Sequence, residues 1–321
     1  MPSISDHNAR IIRILSTLRA SRFNAGLRCP RCTATRVWKW GHFAHRQRFR
    51  CAHCKRTFSD LTGTPAAYIK KLALWEDYAG CIEVGTSVRR AAARIGINPT
   101  TAFRWRHRLL NDLRSRPRES LADWIELDST RFVYSEKGSR EWRDVPRRRG
   151  IEGWRRLWHR QVRVLVACDR RGNLVHSGIA GRRPTVADME RAIGLDFTRP
   201  PVICAEHGRF GPGSGFARRN NGIFHDARGC HAAEACGSRS LIHVKNARDA
   251  KTRLHGWISR FRGVATKYLP NYLAWHCYVD RGIRHRLSAE ILRWPLHGQS
   301  NNSSDEGADS VADQDMPTLG R

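Results

Sequence analysis

The sequence predicts a multi-domain α/β protein: a metal-pinned ribbon, a helix-turn-helix, and then a mixed sheet flanked by helices. Three observations predict it. Two CxxC pairs, Cys29-Pro-Arg-Cys32 and Cys51-Ala-His-Cys54, lie near the start of the chain. Apolar residues then recur at helical spacing from Ala66 to about Arg114. From Leu121 to about Tyr278, strand-like runs with acids at their ends alternate with helical ones. At 321 residues and 40% hydrophobic, the chain has room for two or three domains and one sizeable core.

Charge narrows the partners. Lys and Arg number 58 against 29 Asp and Glu, a formal charge of +29. Such a surface suits a polyanion, because each neutralised phosphate releases counterions. Nucleic acid is the expected partner, and the helix-turn-helix described below narrows it to double-stranded DNA. No stretch approaches the ~18 apolar residues that span a bilayer, so no membrane partner is expected. Met1 to Ala20 reads as a basic amphipathic helix without the apolar run of a secretory signal. The expected location is therefore the cytoplasm, where ten cysteines are better explained by metal than by disulfides.

The ribbon comes first. Eighteen residues separate Cys32 from Cys51, a spacing that fits a four-cysteine structural Zn²⁺ site. Each pair binds from a tight knuckle, and the second knuckle closes the tetrahedron. With Cys29, Cys32, Cys51 and Cys54 all engaged, no position is left for water. Val37, Trp38, Trp40, Phe43 and Phe49 supply short-strand material between the knuckles.

The helical segment follows. Leu72, Trp75 and Ala79 form one apolar stripe, and Val88, Ala91, Ala92 and Ile95 form another. Ser87 is the expected N-cap of the second helix. In Gly96-Ile97-Asn98-Pro99, Asn98 should cap the third helix and Pro99 should open it. That helix, to about Leu110, should bury Ala102, Trp105 and Leu109. Thr101, Arg104, Arg106, His107 and Arg108 remain as candidates to face a major groove.

In the α/β block, Trp124 to Val133 alternates like a half-buried strand, with Glu126, Asp128 and Thr130 on one face. An insertion then carries nine Arg between Arg140 and Arg163, among them Arg147, Arg148 and Arg149, with Trp142, Trp154 and Trp158 interleaved. Arg for phosphates and Trp for stacking suit DNA contact. Val162 to Cys168 and Leu174 to Ile179 should form a hairpin about Asp169-Arg170-Arg171-Gly172. A helix from Pro184 to about Leu195, a strand from Pro201 to Ala205, a strand from Ser240 to Val244 and a helix from Ala247 to Arg262 complete it. From about Gly298 the chain is polar, with Asp305, Glu306, Asp309, Asp313 and Asp315, and reads as a disordered acidic tail.

Three runs carry a family resemblance. Cys29 to Pro65, including Arg48-Phe49-Arg50-Cys51-Ala52-His53-Cys54-Lys55-Arg56-Thr57-Phe58-Ser59, resembles the ribbon of bacterial zinc-ribbon insertion-sequence transposases, the ISXO-like group. Thr101-Ala102-Phe103-Arg104-Trp105-Arg106-His107-Arg108 resembles their helix-turn-helix. Arg260-Phe261-Arg262-Gly263-Val264-Ala265-Thr266-Lys267-Tyr268-Leu269-Pro270-Asn271-Tyr272-Leu273-Ala274-Trp275 is similar to their most specific segment. The resemblance implies an RNase H-like catalytic domain that cuts and rejoins DNA at element ends, with acids holding two Mg²⁺ ions. It also implies nucleoid association and a homo-oligomer on paired ends.

Carried over by position, the first catalytic acid falls on Asp128. The second falls on Glu206, in Cys204-Ala205-Glu206-His207, where the family has Asp. The third falls on Arg248, which cannot ligate a cation, with Asp249 as the adjacent acid. The implied organisation is a basic helix (1–26), a zinc ribbon (27–65), a helix-turn-helix (66–118), the RNase H-like transposase domain (119–283) and a C-terminal segment (284–321). Two functions follow: a transposase working through Asp128, Glu206 and Asp249, or a non-catalytic DNA-binding protein derived from one. An RNA-binding basic protein is a third class, which the helix-turn-helix disfavours.

Overall fold

The computed structural model describes residues 4–43, 46–116, 121, 124–138, 161–180, 184–194, 197, 199–227 and 242–280. They divide into two compact units, one of described residues up to Trp75 and one of those from Glu76 onward. The insertion carrying Arg147, Arg148 and Arg149, and the acidic tail, lie outside the described residues.

In the first unit, helix α1 (Ile4–Arg22) buries Ile14 and Leu18, one turn apart, and exposes much of the rest. Its last turn is tied down by two arginines. Arg19 grips the Asp60 carboxylate with Nε at 3.2 Å and Nη2 at 2.9 Å. The buried Arg22 guanidinium donates to the carbonyls of Asp60 and, at 2.7 Å, Thr62. Burial draws its pKa down to about 10, against the pull of Asp60, so it stays charged at neutral pH.

Three antiparallel strands follow in the order β1 (Val37–Phe43), β2 (Arg46–Cys51), β3 (Thr57–Phe58). Alternation gives this small sheet two unlike faces. Phe49, Cys51 and Phe58 turn inward onto Phe23 and Cys29. Trp38 sits opposite Arg50 in register, and Arg50 opposite Thr57. A bulge between Lys39 and His42 is accommodated by Gly41 at φ +67°.

The second unit begins within α2 (Trp75–Glu83) and continues with α3 (Val88–Ile95) and α4 (Pro99–Ser115). The Ser87 side chain accepts the Arg90 N–H, and the Asn98 side chain accepts the Thr100 N–H at 2.8 Å, the caps that the sequence predicts. Gly96 ends α3 in the left-handed conformation, and Pro99 opens α4. Helix α4 runs past the expected Leu110 because Leu110 and Leu113 continue its buried stripe.

The sheet is five-stranded: β4 (Trp124–Val133), β5 (Gln161–Asp169), β6 (Leu174–Ala180), β7 (Val202–Ala205) and β8 (Ile223–Asp226). Their spatial order is β6-β5-β4-β7-β8. The first three are antiparallel neighbours, and β7 and β8 run parallel to β4. Between the last strands lie α5 (Val186–Ile193), with a Thr185–Asp188 capping box, and α6 (His207–Arg219). After them come α7 (Lys245–Ser259) and α8 (Leu269–Asp280).

The odd-numbered face of β4 makes the core. Ile125 and Leu127 pack with Leu165, Ala167, Ile203, Met189, Ile193 and Phe216. Glu126, Asp128 and Thr130 point to the other face, where they meet α7. Helix α8 joins the tri-helical segment to this body: Asn271 Nδ2 donates to Asn111 Oδ1 at 2.7 Å, and Trp275 Nε1 to the Ile82 carbonyl at 3.1 Å.

One expectation fails, and one strand goes beyond the sequence reading. Residues 242–244 are not a strand and lead directly into α7. The strand next to β7 is instead β8, four residues long and partly exposed, too short to show a period in the sequence.

Candidate functional site

Two constellations carry chemistry. In the first unit the Cys29, Cys32, Cys51 and Cys54 sulfurs lie within 4.8 Å of one another, and Cys29–Cys54 and Cys32–Cys51 are 3.6 and 3.5 Å apart. A tetrahedral S₄ site with metal–sulfur bonds near 2.3 Å has sulfur–sulfur edges of roughly 3.8 Å, so the set is shaped for one Zn²⁺. The knuckles are built alike. Thr33 follows the first pair and Lys55 the second, and both sit at φ 59°. Those left-handed residues turn the chain back: the Cys29 N–H donates to the Ala34 carbonyl and the Cys51 N–H to the Arg56 carbonyl. Among the described residues no other group of three or more such ligands converges. Bound there, zinc supplies a cross-link rather than a reaction centre.

The second constellation is in the sheet unit. Ala205 pairs with Leu127 in parallel register, so Glu206, the next residue, emerges beside Asp128. The topology thus brings two of the three expected acids together on adjacent interior strands, where β7 ends beside the middle of β4. Each already has a cation. Lys251 Nζ donates to one oxygen of the buried Asp128 carboxylate, and the Ser129 N–H donates to the other at 2.6 Å. The Arg248 guanidinium pairs with Glu206. Both cations come from α7, three residues apart and on one face. His255, a further turn along, meets the Thr130 hydroxyl and stacks on Phe132 at 4.9 Å. Burial, and then the Lys251 charge, hold the His255 pKa below its ordinary value.

Asp249 is not part of this group. It turns away from Asp128 and lines, with Asn246, Ala250 and Arg253, a pocket of about 200 Å³ that Cys168, Asp169 and Asp280 also line. The reason is helical geometry, since one residue along a helix turns a side chain by about 100°. Among the described residues Asp128 and Glu206, with an ammonium and a guanidinium already seated on them, do not fit a pair of divalent cations.

Glu126 was not expected to matter. It is wholly buried, and its carboxylate accepts the backbone N–H groups of Asn246 at 2.8 Å and Ala247 at 3.2 Å. The Asn246 side-chain amide also donates to it at 2.8 Å, and Arg170 at 3.1 Å and His243 at 3.2 Å lie against it. It caps the start of α7 from across the sheet, where the helix dipole favours an anion. Pattern matching could have found it, because β4 at period two (126, 128, 130) runs beside α7 at steps of about one turn (247, 251, 255).

On α4, Arg104 and Arg108 are exposed and Thr101 is half-buried. Arg106 corrects the sequence reading: it is fully buried and cannot reach a phosphate. Its guanidinium donates to the Thr86 carbonyl and lies 5.2 Å over the Trp275 ring and 5.8 Å over Phe261. Arg106 follows Trp105 on the inward side, so it braces the fold. His107 beside it has both ring nitrogens buried without a hydrogen-bond partner.

Comparison with known proteins agrees with the ribbon. Residues 13–57 match the family model of a transposase zinc-ribbon domain. An uncharacterized protein in transposable element ISH50 of Halobacterium salinarum is 35% identical over 146 residues, which cover 43% of this chain and 47% of the relative. The chain thus spans about half the length of the relative it matches. Together these matches support a transposase-related protein, and the four-cysteine cluster supports structural Zn²⁺ within it. Among the described residues no helix is long and apolar enough to cross a membrane.

Proposed function

We propose that this chain is a transposase-type protein that binds duplex DNA at element ends and does not cut it by two-metal chemistry. The observation that carries the second half is the pairing of Lys251 with Asp128 and Arg248 with Glu206. The sheet order β6-β5-β4-β7-β8, antiparallel on one side of β4 and parallel on the other, supports an RNase H-like body. Helices α3 and α4, joined by the short Gly96 turn, support a helix-turn-helix with Thr101, Arg104 and Arg108 toward DNA. Arg147, Arg148 and Arg149 in the insertion add phosphate contacts in this reading.

The closeness of Asp128 and Glu206 favours a second reading, an active transposase whose metals displace Lys251 and Arg248 on binding DNA. Strand cleavage and transfer on DNA carrying the gene's own flanking ends separates the two, with Mg²⁺ and Mn²⁺ tested in turn. The proposal expects end-specific binding and no cutting. Cutting that Asp128→Asn abolishes would overturn it.

A further inference from the structure

The outer face of the zinc ribbon is built unlike its inner face. Trp38 and Trp40, two residues apart on β1, remain 46% exposed, and Phe43 at the strand end is 71% exposed. Exposed large aromatics in a row are costly in water and mark a contact surface. Cations surround them. The Arg50 guanidinium lies 4.4 Å over Trp40, and Lys55 Nζ lies 5.9 Å from the Trp38 centroid. Arg31, Trp40, Arg50, Lys55, Arg56 and Thr57 line a shallow, open basin of about 590 Å³. No acid lines it.

We infer that this face binds unpaired DNA, with a base stacked against Trp40 or Trp38 and flanking phosphates on Arg31, Arg50, Lys55 and Arg56. Indole rings stack on any base, which suits a strand whose bases are turned out of the duplex. An all-cationic basin suits the backbone charge and would repel a basic protein partner. A duplex hides its base faces and would leave the tryptophans unused. The zinc site sets the geometry, because Cys51 on β2 is one residue from Arg50 and the strand alternates inward and outward there.

The inference rests on the DNA-binding reading above, and its test separates the two. Zinc-loaded full-length protein is titrated by fluorescence anisotropy against an oligothymidylate of about 12 nucleotides and against a duplex carrying the element ends. Trp40→Ala should weaken oligothymidylate binding roughly 10-fold, with Trp40→Phe restoring most of it and duplex affinity unchanged within about twofold. Lys55→Gln should instead lower the slope of log affinity against log salt by about 0.7. A zinc content of one per chain shows that each variant keeps its ribbon. If Trp38→Ala and Trp40→Ala bind oligothymidylate like the unaltered chain while duplex binding holds, this inference alone fails. If neither DNA is bound, the DNA-binding reading fails with it.

Discussion

Lys251 on α7 reaches across to β4 and seats its ammonium on the Asp128 carboxylate, at the position where the resemblance places the first metal ligand. One turn earlier Arg248 does the same for Glu206. A helix that should present a third ligand therefore presents two cations. Asp128 is buried, so losing its partner strands a charge. Lys251→Met should cost about 3 kcal/mol in urea unfolding. In a cycle with Asp128→Asn, the double variant should recover about 1–3 kcal/mol of the summed losses. Additive losses would mean that the two groups do not interact.

Neighbouring arginines on α4 should behave differently. Arg104→Ala and Arg108→Ala should each weaken duplex binding and reduce the salt slope by about 0.9, with stability unchanged. Arg106→Ala should leave the salt slope alone and cost about 2–3 kcal/mol, because it removes a charged donor from the Thr86 carbonyl inside an aromatic cluster. Anisotropy at several salt concentrations, beside urea unfolding, reads both.

Gly85 follows α2 at φ +69°, and a Cβ there would lie 2.6 Å from two ring carbons of Trp257. Gly85→Ala meets both a left-handed backbone cost and a clash with a packed indole. The expected loss is about 2–4 kcal/mol. A thermal melt within a degree of the unaltered protein would contradict this close approach of Trp257 to Gly85.

Acid should destabilise the second unit mainly through two histidines. Burial, then the Arg106 charge, lowers His107 to about 4, and burial lowers His276 to about 4 despite Asp280. His276 also sits 2.9 Å from His176, Nδ1 to Nε2. An unfolded imidazole titrates near 6.5. Between those values the unfolded chain takes protons that the folded chain refuses. Stability from these groups is therefore whole above pH 6.5 and falls as pH drops toward 4. Asp112 runs the other way, since burial raises its carboxyl to about 6 and the folded state takes that proton first. His255, also held low, adds to the loss, and the histidines together outweigh Asp112. The melting temperature should fall between pH 7 and 5, and His107→Phe should flatten that fall.

Zinc should hold the first unit alone. Cys32→Ser or Cys54→Ser should drop metal content from one per chain to none. Residues 27–65 should then become the earliest sites of proteolysis, while fragments from the sheet unit persist.

Local chemistry made much of this legible from sequence. The knuckles, the Ser87 and Asn98 caps and the β5–β6 turn depend on residues a few positions apart, and all three stand where the pattern puts them. What the sequence hid depends on partners far along the chain. Arg106 reads as an exposed cation until α8 brings Trp275 over it, some 170 residues later. Asp249 reads as a neighbour of the site until the turn of α7 aims it into another pocket. Glu126 reads as an ordinary strand acid until α7 begins against it. Strand β8 was missed because four partly exposed residues carry no period.

The most direct test is Mn²⁺ binding to the zinc-loaded chain, followed by electron paramagnetic resonance, with Asp128→Asn alongside. If Lys251 and Arg248 hold the two carboxylates, the unaltered chain and the variant should leave the same Mn²⁺ free in solution. A stoichiometric bound ion that disappears in Asp128→Asn would show that the acids take metal in preference to their cations, and would contradict the account.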